Sequence, residues 1–269
     1  MVDHGPSRDR LRDAAVARLK DAPGIEAVFL SGSLARGAGD ATSDLDLVAV
    51  CGADATEDAV KAFRLALESV GDVVMLRVSR GFPRLVNAVA GDWTRVDLLL
   101  TGRDGMARSP AVLAPLHDPD GLGDRAPAEV AVPPGQVAFL IEEYLRVHGL
   151  LAVAVARGEW VTGVSGWSLQ REALIRLMRI DAGARDTGGV LHLSQILPAA
   201  DMEALAALPS PAPERGAVIA AHLAVARLFL PRARATAARL GVDWPEAFEA
   251  ATARYLDRAL GLPPEETMP

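Results

Sequence analysis

The sequence predicts an α+β fold: a small mixed β-sheet core with helices over residues 1–105, a link over 106–135, and an α-helical bundle over 136–269. Three observations predict it. Short strand-like runs alternate with helical spacing in the first hundred residues, Gly, Asp and Pro dominate the stretch that follows, and long apolar-periodic segments fill the second half.

Taken in order, residues 8–20 place Leu11, Ala14, Ala15 and Leu19 at helical spacing, and Pro23-Gly24 ends the run. Residues 25–30 read as a short buried strand and 45–50 as the next, separated by the turn-forming stretch 37–43. Thr56 is expected to cap a helix reaching about residue 69, with Glu57 and Asp58 in its first turn and Gly71 at its end. Residues 72–78 read as a third strand, 83–89 as a short helix, and 94–100 as a fourth strand closing on three leucines. Pro110, Pro115, Pro119, Pro127, Pro133 and Pro134 mark the link, within which residues 112–116 are able to pack. Helices are expected over 137–156, 168–180, 201–208, 217–240 and 244–260, with Pro231 kinking or splitting the fourth of these.

Composition excludes several classes. Half of the 269 residues are apolar, enough for a sizeable core without staples. Against 35 Asp and Glu stand 28 Lys and Arg, and a net charge of -7 argues against a broad surface tracking nucleic-acid phosphates. Cys51 has no second cysteine to pair with and ends an apolar run, as an inert buried thiol does. The five histidines, His4, His117, His148, His192 and His222, lack zinc-ligand spacing. The first residues contain no apolar leader segment, and the longest uninterrupted apolar run, 150–156, is too short to span a bilayer. The expectation is a soluble, cytoplasmic protein with no membrane partner.

The chemistry is concentrated in Ser31-Gly32-Ser33-Leu34-Ala35-Arg36-Gly37 and Ser43-Asp44-Leu45-Asp46-Leu47. This is a strand, a Gly-Ser turn opening a helix, a loop, and a second strand with carboxylates at i and i+2. Alternate residues of a strand share a face, so Asp44 and Asp46 project together. Adjacent carboxylates repel unless a cation lies between them, and Mg2+ suits a site shared with substrate phosphates. Gly32 permits close backbone approach to an anion, helix-start amides point at it, and the Ser33 hydroxyl adds a donor. Arg36 reads equally as a fork for a triphosphate or as a solvated surface residue. Asp97, in the otherwise apolar run Val96-Asp97-Leu98-Leu99-Leu100, is the candidate third acid for a two-metal arrangement. The bland alternative for it is a strand-edge acid bonded to a nearby turn.

Together, Gly32-Ser33, Asp44, Asp46 and Asp97 resemble the signature of the polymerase-β nucleotidyltransferase superfamily, Gly-Ser followed by Asp-x-Asp and a later carboxylate. The resemblance covers about the first hundred residues. It implies transfer of a nucleoside monophosphate from a nucleoside triphosphate, ATP foremost, to an acceptor, with release of pyrophosphate and with two Mg2+ ions. Carried over, Ser33 and the backbone near Gly32 hold the β and γ phosphates, with Arg36 and Ser43 as further nucleotide-binding candidates. Asp44 and Asp46 ligate metal, and Asp97 completes the metal set, serves as general base, or does both.

The order core then helical domain is similar to antibiotic nucleotidyltransferases acting on aminoglycosides and lincosamides. Residues 85–97 also resemble the short helix and return strand that precede the third acid in that group. The implied partners are a nucleoside triphosphate and a small hydroxylated acceptor, with antibiotic resistance as the implied role; a dimer that completes one cleft stays open. An acidic chain would steer a polycationic acceptor, and Glu142 and Glu143 are candidate contacts, although acids in the first turns of a helix also serve its dipole. Trp160 and Trp167 read as an aromatic wall or, more simply, as core. Two alternatives stand beside this reading: nucleotidylation of a protein or tRNA acceptor, and a nucleotide-binding module without turnover.

Overall fold

The computed structural model describes residues 5–129, 132–183 and 193–269. They divide into two compact units, Met1–Val130 and Ala131–Pro269. His4 and His192 lie outside the described residues.

The first unit runs α1 (Gly5–Leu19), β1 (Ile25–Leu30), α2 (Gly32–Ala35), β2 (Leu45–Cys51), α3 (Thr56–Glu68), β3 (Val73–Val78), β4 (Arg84–Ala90), β5 (Arg95–Thr101), α4 (Arg103–Ala107) and β6 (Ala114–His117). Its six strands form one mixed sheet in the order β3-β4-β5-β2-β1-β6. β2 and β5 pair in parallel, and the other neighbours are antiparallel. Helix α1 buries Leu11, Ala15 and Leu19 at four-residue spacing, and α3 buries Ala59, Val60, Phe63, Ala66 and Leu67, so both helices cover one face of the sheet. There they meet Leu45, Leu47 and Ala49 of β2 and Val96, Leu98 and Leu100 of β5. The opposite face carries a smaller cluster of Ala27, Phe29, Val48, Val50 and Met106.

Two expectations are corrected here. Residues 83–89 do not form a helix. Val86, Ala88 and Ala90 are buried while the residues between them are not, which is the period-two pattern of a strand, and β4 is hydrogen-bonded between β3 and β5. The short apolar run fits both periods, and long-range pairing decided between them. Thr56 is the first residue of α3 rather than its cap; its hydroxyl donates to the Ala53 carbonyl at 2.8 Å. Within the stretch read as a link, where residues 112–116 were expected to be able to pack, β6 pairs with β1 through Val28, Phe29 and Leu30.

The second unit is helical: α5 (Pro134–Arg157), α6 (Trp160–Asp181), α7 (Leu193–Ile196), α8 (Ala199–Ala206), α9 (Arg215–Leu240), α10 (Glu246–Leu260) and α11 (Pro264–Thr267). Its core joins Ile141, Tyr144 and Leu145 of α5, Leu174 and Leu177 of α6, and Phe229 and Leu230 of α9. Tyr144 stacks on Phe229 with ring centres 3.7 Å apart. Pro231 does not split α9. It removes one backbone donor, but Phe229, Leu230 and Ala233 are fully buried around it, and that packing holds the turn. Helix α9 also has the length and mean hydropathy, 1.3, of a membrane span, which a search for uninterrupted apolar runs passes over. Half of that window is buried inside the structure, as in the core helix of a helical bundle. Trp167 packs against the same core, in keeping with its simpler reading.

Candidate active site

Asp46 and Asp97 face each other across the parallel β2/β5 pair, and Asp44 lies two residues before Asp46, just ahead of β2. Leu45 and Leu47, the intervening positions, are buried in the core beneath, so strand alternation sends Asp44 and Asp46 to the opposite face. Carboxylate oxygens of Asp44, Asp46 and Asp97 lie within 4.8 Å of one another, each residue half-buried. Among the described residues this is the one group of three or more His, Cys, Asp or Glu side chains able to share an ion. The oxygen-only donor set suits a hard divalent cation such as Mg2+ or Mn2+.

The turn after β1 is built against these acids. Gly32 has φ +65°, and a Cβ there would fall 1.9 Å from Asp46 Oδ2. Both conformation and space therefore demand glycine. The Ser31 amide donates to the Asp46 carbonyl at 2.8 Å, tying the turn to β2. Ser33 is buried, and its hydroxyl has no hydrogen-bond partner among the described residues. Helix α2 spans only four residues, so its dipole is short, and local amides and the Ser33 hydroxyl are what it offers an anion. Arg36 ends α2 at an exposed position.

Asp44 is delivered by a fastened turn. Asp40 accepts from the Thr42 amide and hydroxyl at 2.8 Å each and from the Ser43 hydroxyl at 3.1 Å. These bonds, led by the Thr42 hydroxyl, lower the Asp40 pKa. The Asp40 amide donates to Ser43 Oγ at 2.9 Å, and Arg8 of α1 clamps the carbonyls of Asp40 and Ser43 at 2.9 and 3.0 Å. The Ser43 hydroxyl is thus engaged in this turn, where it helps to place Asp44 beside it. Arg95 approaches Asp44 at 3.8 Å.

Burial is the main cause that raises the Asp97 pKa; the Asn87 amide bond opposes it, the negative charge of Asp44 adds to it, and Arg95 opposes it. Asn87 Nδ2 donates to Asp97 Oδ1 at 2.9 Å, and the two residues are register partners across β4/β5. Sequence reasoning missed Asn87 because it read β4 as a helix. The run itself carried no deciding signal, since Leu85 and Val89 are apolar as well as Val86, Ala88 and Ala90.

Glu142 and Glu143 lie in the second unit, inside α5 rather than in its first turn, which holds no acid. The macrodipole reading therefore does not apply to them. Glu142 is exposed, whereas Glu143 is held by Arg146 through bonds of 2.6 and 2.7 Å that lower its pKa.

Fold and site together define a class: a strand-borne carboxylate centre for a hard cation, with a glycine-serine turn pressed against it. Neither a family model nor a curated protein sequence matches the chain. Solved structures with a similar fold include an aminoglycoside 6-adenyltransferase from Bacillus subtilis, at 14% identity and TM-score 0.44, covering 91% of this chain and 95% of that one. Terminal uridylyl transferase 4 from Trypanosoma brucei with bound GTP is similar at 16% identity and TM-score 0.29, covering 86% of this chain and 67% of that one. The same transferase with bound UTP gives 15% and 0.27, covering 82% and 64%. At such identities and scores these likenesses carry no weight for activity or substrate; the acids and the turn around them do.

Proposed function

We propose that the protein is a metal-dependent nucleotidyltransferase that moves a nucleoside monophosphate from a nucleoside triphosphate, ATP foremost, to a hydroxyl of a small molecule and releases pyrophosphate. The observation that carries this reading is the convergence of Asp44, Asp46 and Asp97 within 4.8 Å on one sheet face, with Gly32 so close to Asp46 that no side chain fits between them.

Asp44, Asp46 and Asp97 would hold Mg2+. When bound, such ions would neutralise charge on the attacking and leaving oxygens of an in-line displacement. Ser33 and the amides beside Gly32 bind the β and γ phosphates. A buried hydroxyl without a partner costs about 1 to 3 kcal/mol, and a phosphate oxygen accepting from Ser33 offsets that cost. Arg36, which follows α2, would be a further contact to the same phosphates. Asp97 would accept the proton of the acceptor hydroxyl, as a carboxylate beside both a metal and a hydroxyl can. The freed oxygen bonds to the α phosphorus, the bond from that phosphorus to the bridging oxygen breaks, and pyrophosphate leaves with the bonding pair.

The acceptor is proposed to be small, hydroxylated and cationic, of the aminoglycoside kind. The net charge of -7 and the exposed Glu142 support steering of such a molecule. The test is a panel of aminoglycosides, lincosamides and other polyols, incubated with Mg2+ and mixed nucleotides and read by mass. One compound heavier by a nucleoside monophosphate is expected. Labelling of protein or RNA with no small-molecule adduct would overturn the choice of acceptor while keeping the chemistry.

A further inference from the structure

We propose that Asn87 is a positioning residue for Asp97: its side-chain amide fixes one carboxylate oxygen so that the other is presented to the metal centre. This rests on the proposed metal-dependent reading of that site. Register across the sheet aligns Arg77 of β3, Asn87 of β4, Asp97 of β5 and Asp46 of β2 as successive partners. Facing partners share a side of the sheet, with strands about 4.8 Å apart. Asn87 therefore stands on the side of Asp97 away from Asp46, and it donates to Oδ1 at 2.9 Å.

The residue type is informative. Asn is disfavoured in strands, and here it occupies an interior strand between the buried Val86 and Ala88, so packing does not select it. A carboxylate only accepts, so the NH2 end of the amide must face Asp97. Lys or Arg at this position would also donate, but its charge would compete with a metal ion for the same oxygen. A neutral amide holds the carboxylate and leaves its charge for the cation. Hydrogen bonds to ligating carboxylates from outside the coordination sphere are worth about 10- to 100-fold in metal affinity.

The test compares the parent with Asn87→Leu, which is close in shape and lacks the donor, and with Asn87→Val, a strand former that gives the same reading should the first be insoluble. Mn2+ binding to nucleotide-free protein is followed by electron paramagnetic resonance, alongside thermal unfolding without metal and kcat and nucleotide KM at saturating Mn2+. The expected result is Mn2+ affinity weaker by about 10-fold or more, a lower kcat, an unchanged nucleotide KM and little change in metal-free Tm. Parent-like Mn2+ affinity in a folded variant would overturn the role of Asn87 alone. A parent that binds no Mn2+, or an Asp46→Ala variant that binds it as well as the parent, would overturn the metal centre and the role of Asn87 together.

Discussion

Gly32 and Asp97 show how single residues carry the site. A Cβ at position 32 meets Asp46 Oδ2 at 1.9 Å, and the backbone there has φ +65°. Gly32→Ala should therefore destabilise the first unit by at least about 1 kcal/mol and weaken divalent-cation binding, both measurable by thermal unfolding with and without Mn2+. An unchanged Tm in both conditions would show that the contact is not as tight as described. For Asp97 the direction of the pKa shift fixes the sign. Its folded pKa is raised, chiefly by burial, so the protonated form suits the fold and stability is lost as pH rises through the folded value. At neutral pH in metal-free buffer, Asp97→Asn should raise Tm. Added Mg2+ should raise the Tm of the parent and leave that of the variant nearly unmoved. The candidate metal ligands were legible in the sequence because Asp44 and Asp46 obey the two-residue period of a strand and Asp97 interrupts an apolar run. Asn87 was not, because a lone amide carries no chemical signal until its register partner is known. Nor was the engagement of Ser43 in the Asp40 turn, which depends on a clamp from Arg8 in a distant part of the chain.

Among the elements, the β4/β5 hairpin bears most directly on the site, since it holds Asn87 against Asp97. Its turn places Trp93 at φ +65° with 72% of its surface exposed. A bulky residue in the left-handed region costs about 1 kcal/mol or more, and so little of this indole is buried that packing cannot offset the cost. Trp93→Gly is expected to raise Tm, and a fall would show that the indole stabilises the hairpin by a contact outside this account. The hairpin was also the element least legible in the sequence. Residues 83–89 satisfy helical and strand spacing alike, and only pairing to β3 and β5 distinguishes them. Similarly, β6 is four residues drawn from a proline-rich stretch, too short for alternation to declare it. The long helices α5, α9 and α10 were read to within a few residues because an apolar stripe of that length admits one period only.

At the scale of the whole molecule, two separately cored units carry different sensitivities. The second unit buries His148 completely. Its Nε2 donates to the Thr267 carbonyl at 2.9 Å, and its Nδ1 accepts from Gln170 at 2.8 Å. Burial, reinforced by His222 and opposed by the Thr267 bond, lowers its pKa from the ordinary 6.5 to about 4. Burial lowers that of His222 as well. A depressed histidine favours the neutral form in the fold, so below its ordinary pKa the unfolded chain takes up a proton that the folded chain refuses. Stability should fall as pH drops from about 6.5 towards 4, by roughly 1.4 kcal/mol per pH unit for one such group. Urea unfolding of the second unit at pH 7 and pH 5 measures this, and equal midpoints would contradict it. The first unit should respond instead to divalent cations, which its three acids make its natural stabilising ligand.

The central claim is that Asp44, Asp46 and Asp97 form the metal centre of a nucleotidyl transfer, and pyrophosphate release measures it most directly. With Mg2+, a nucleoside triphosphate and the acceptor panel, the parent should release pyrophosphate. Chelation of the metal or Asp46→Ala should abolish that release while the variant stays folded. Release that persists at the parental rate in chelator or in Asp46→Ala, or its complete absence across nucleotides and acceptors, would contradict the account.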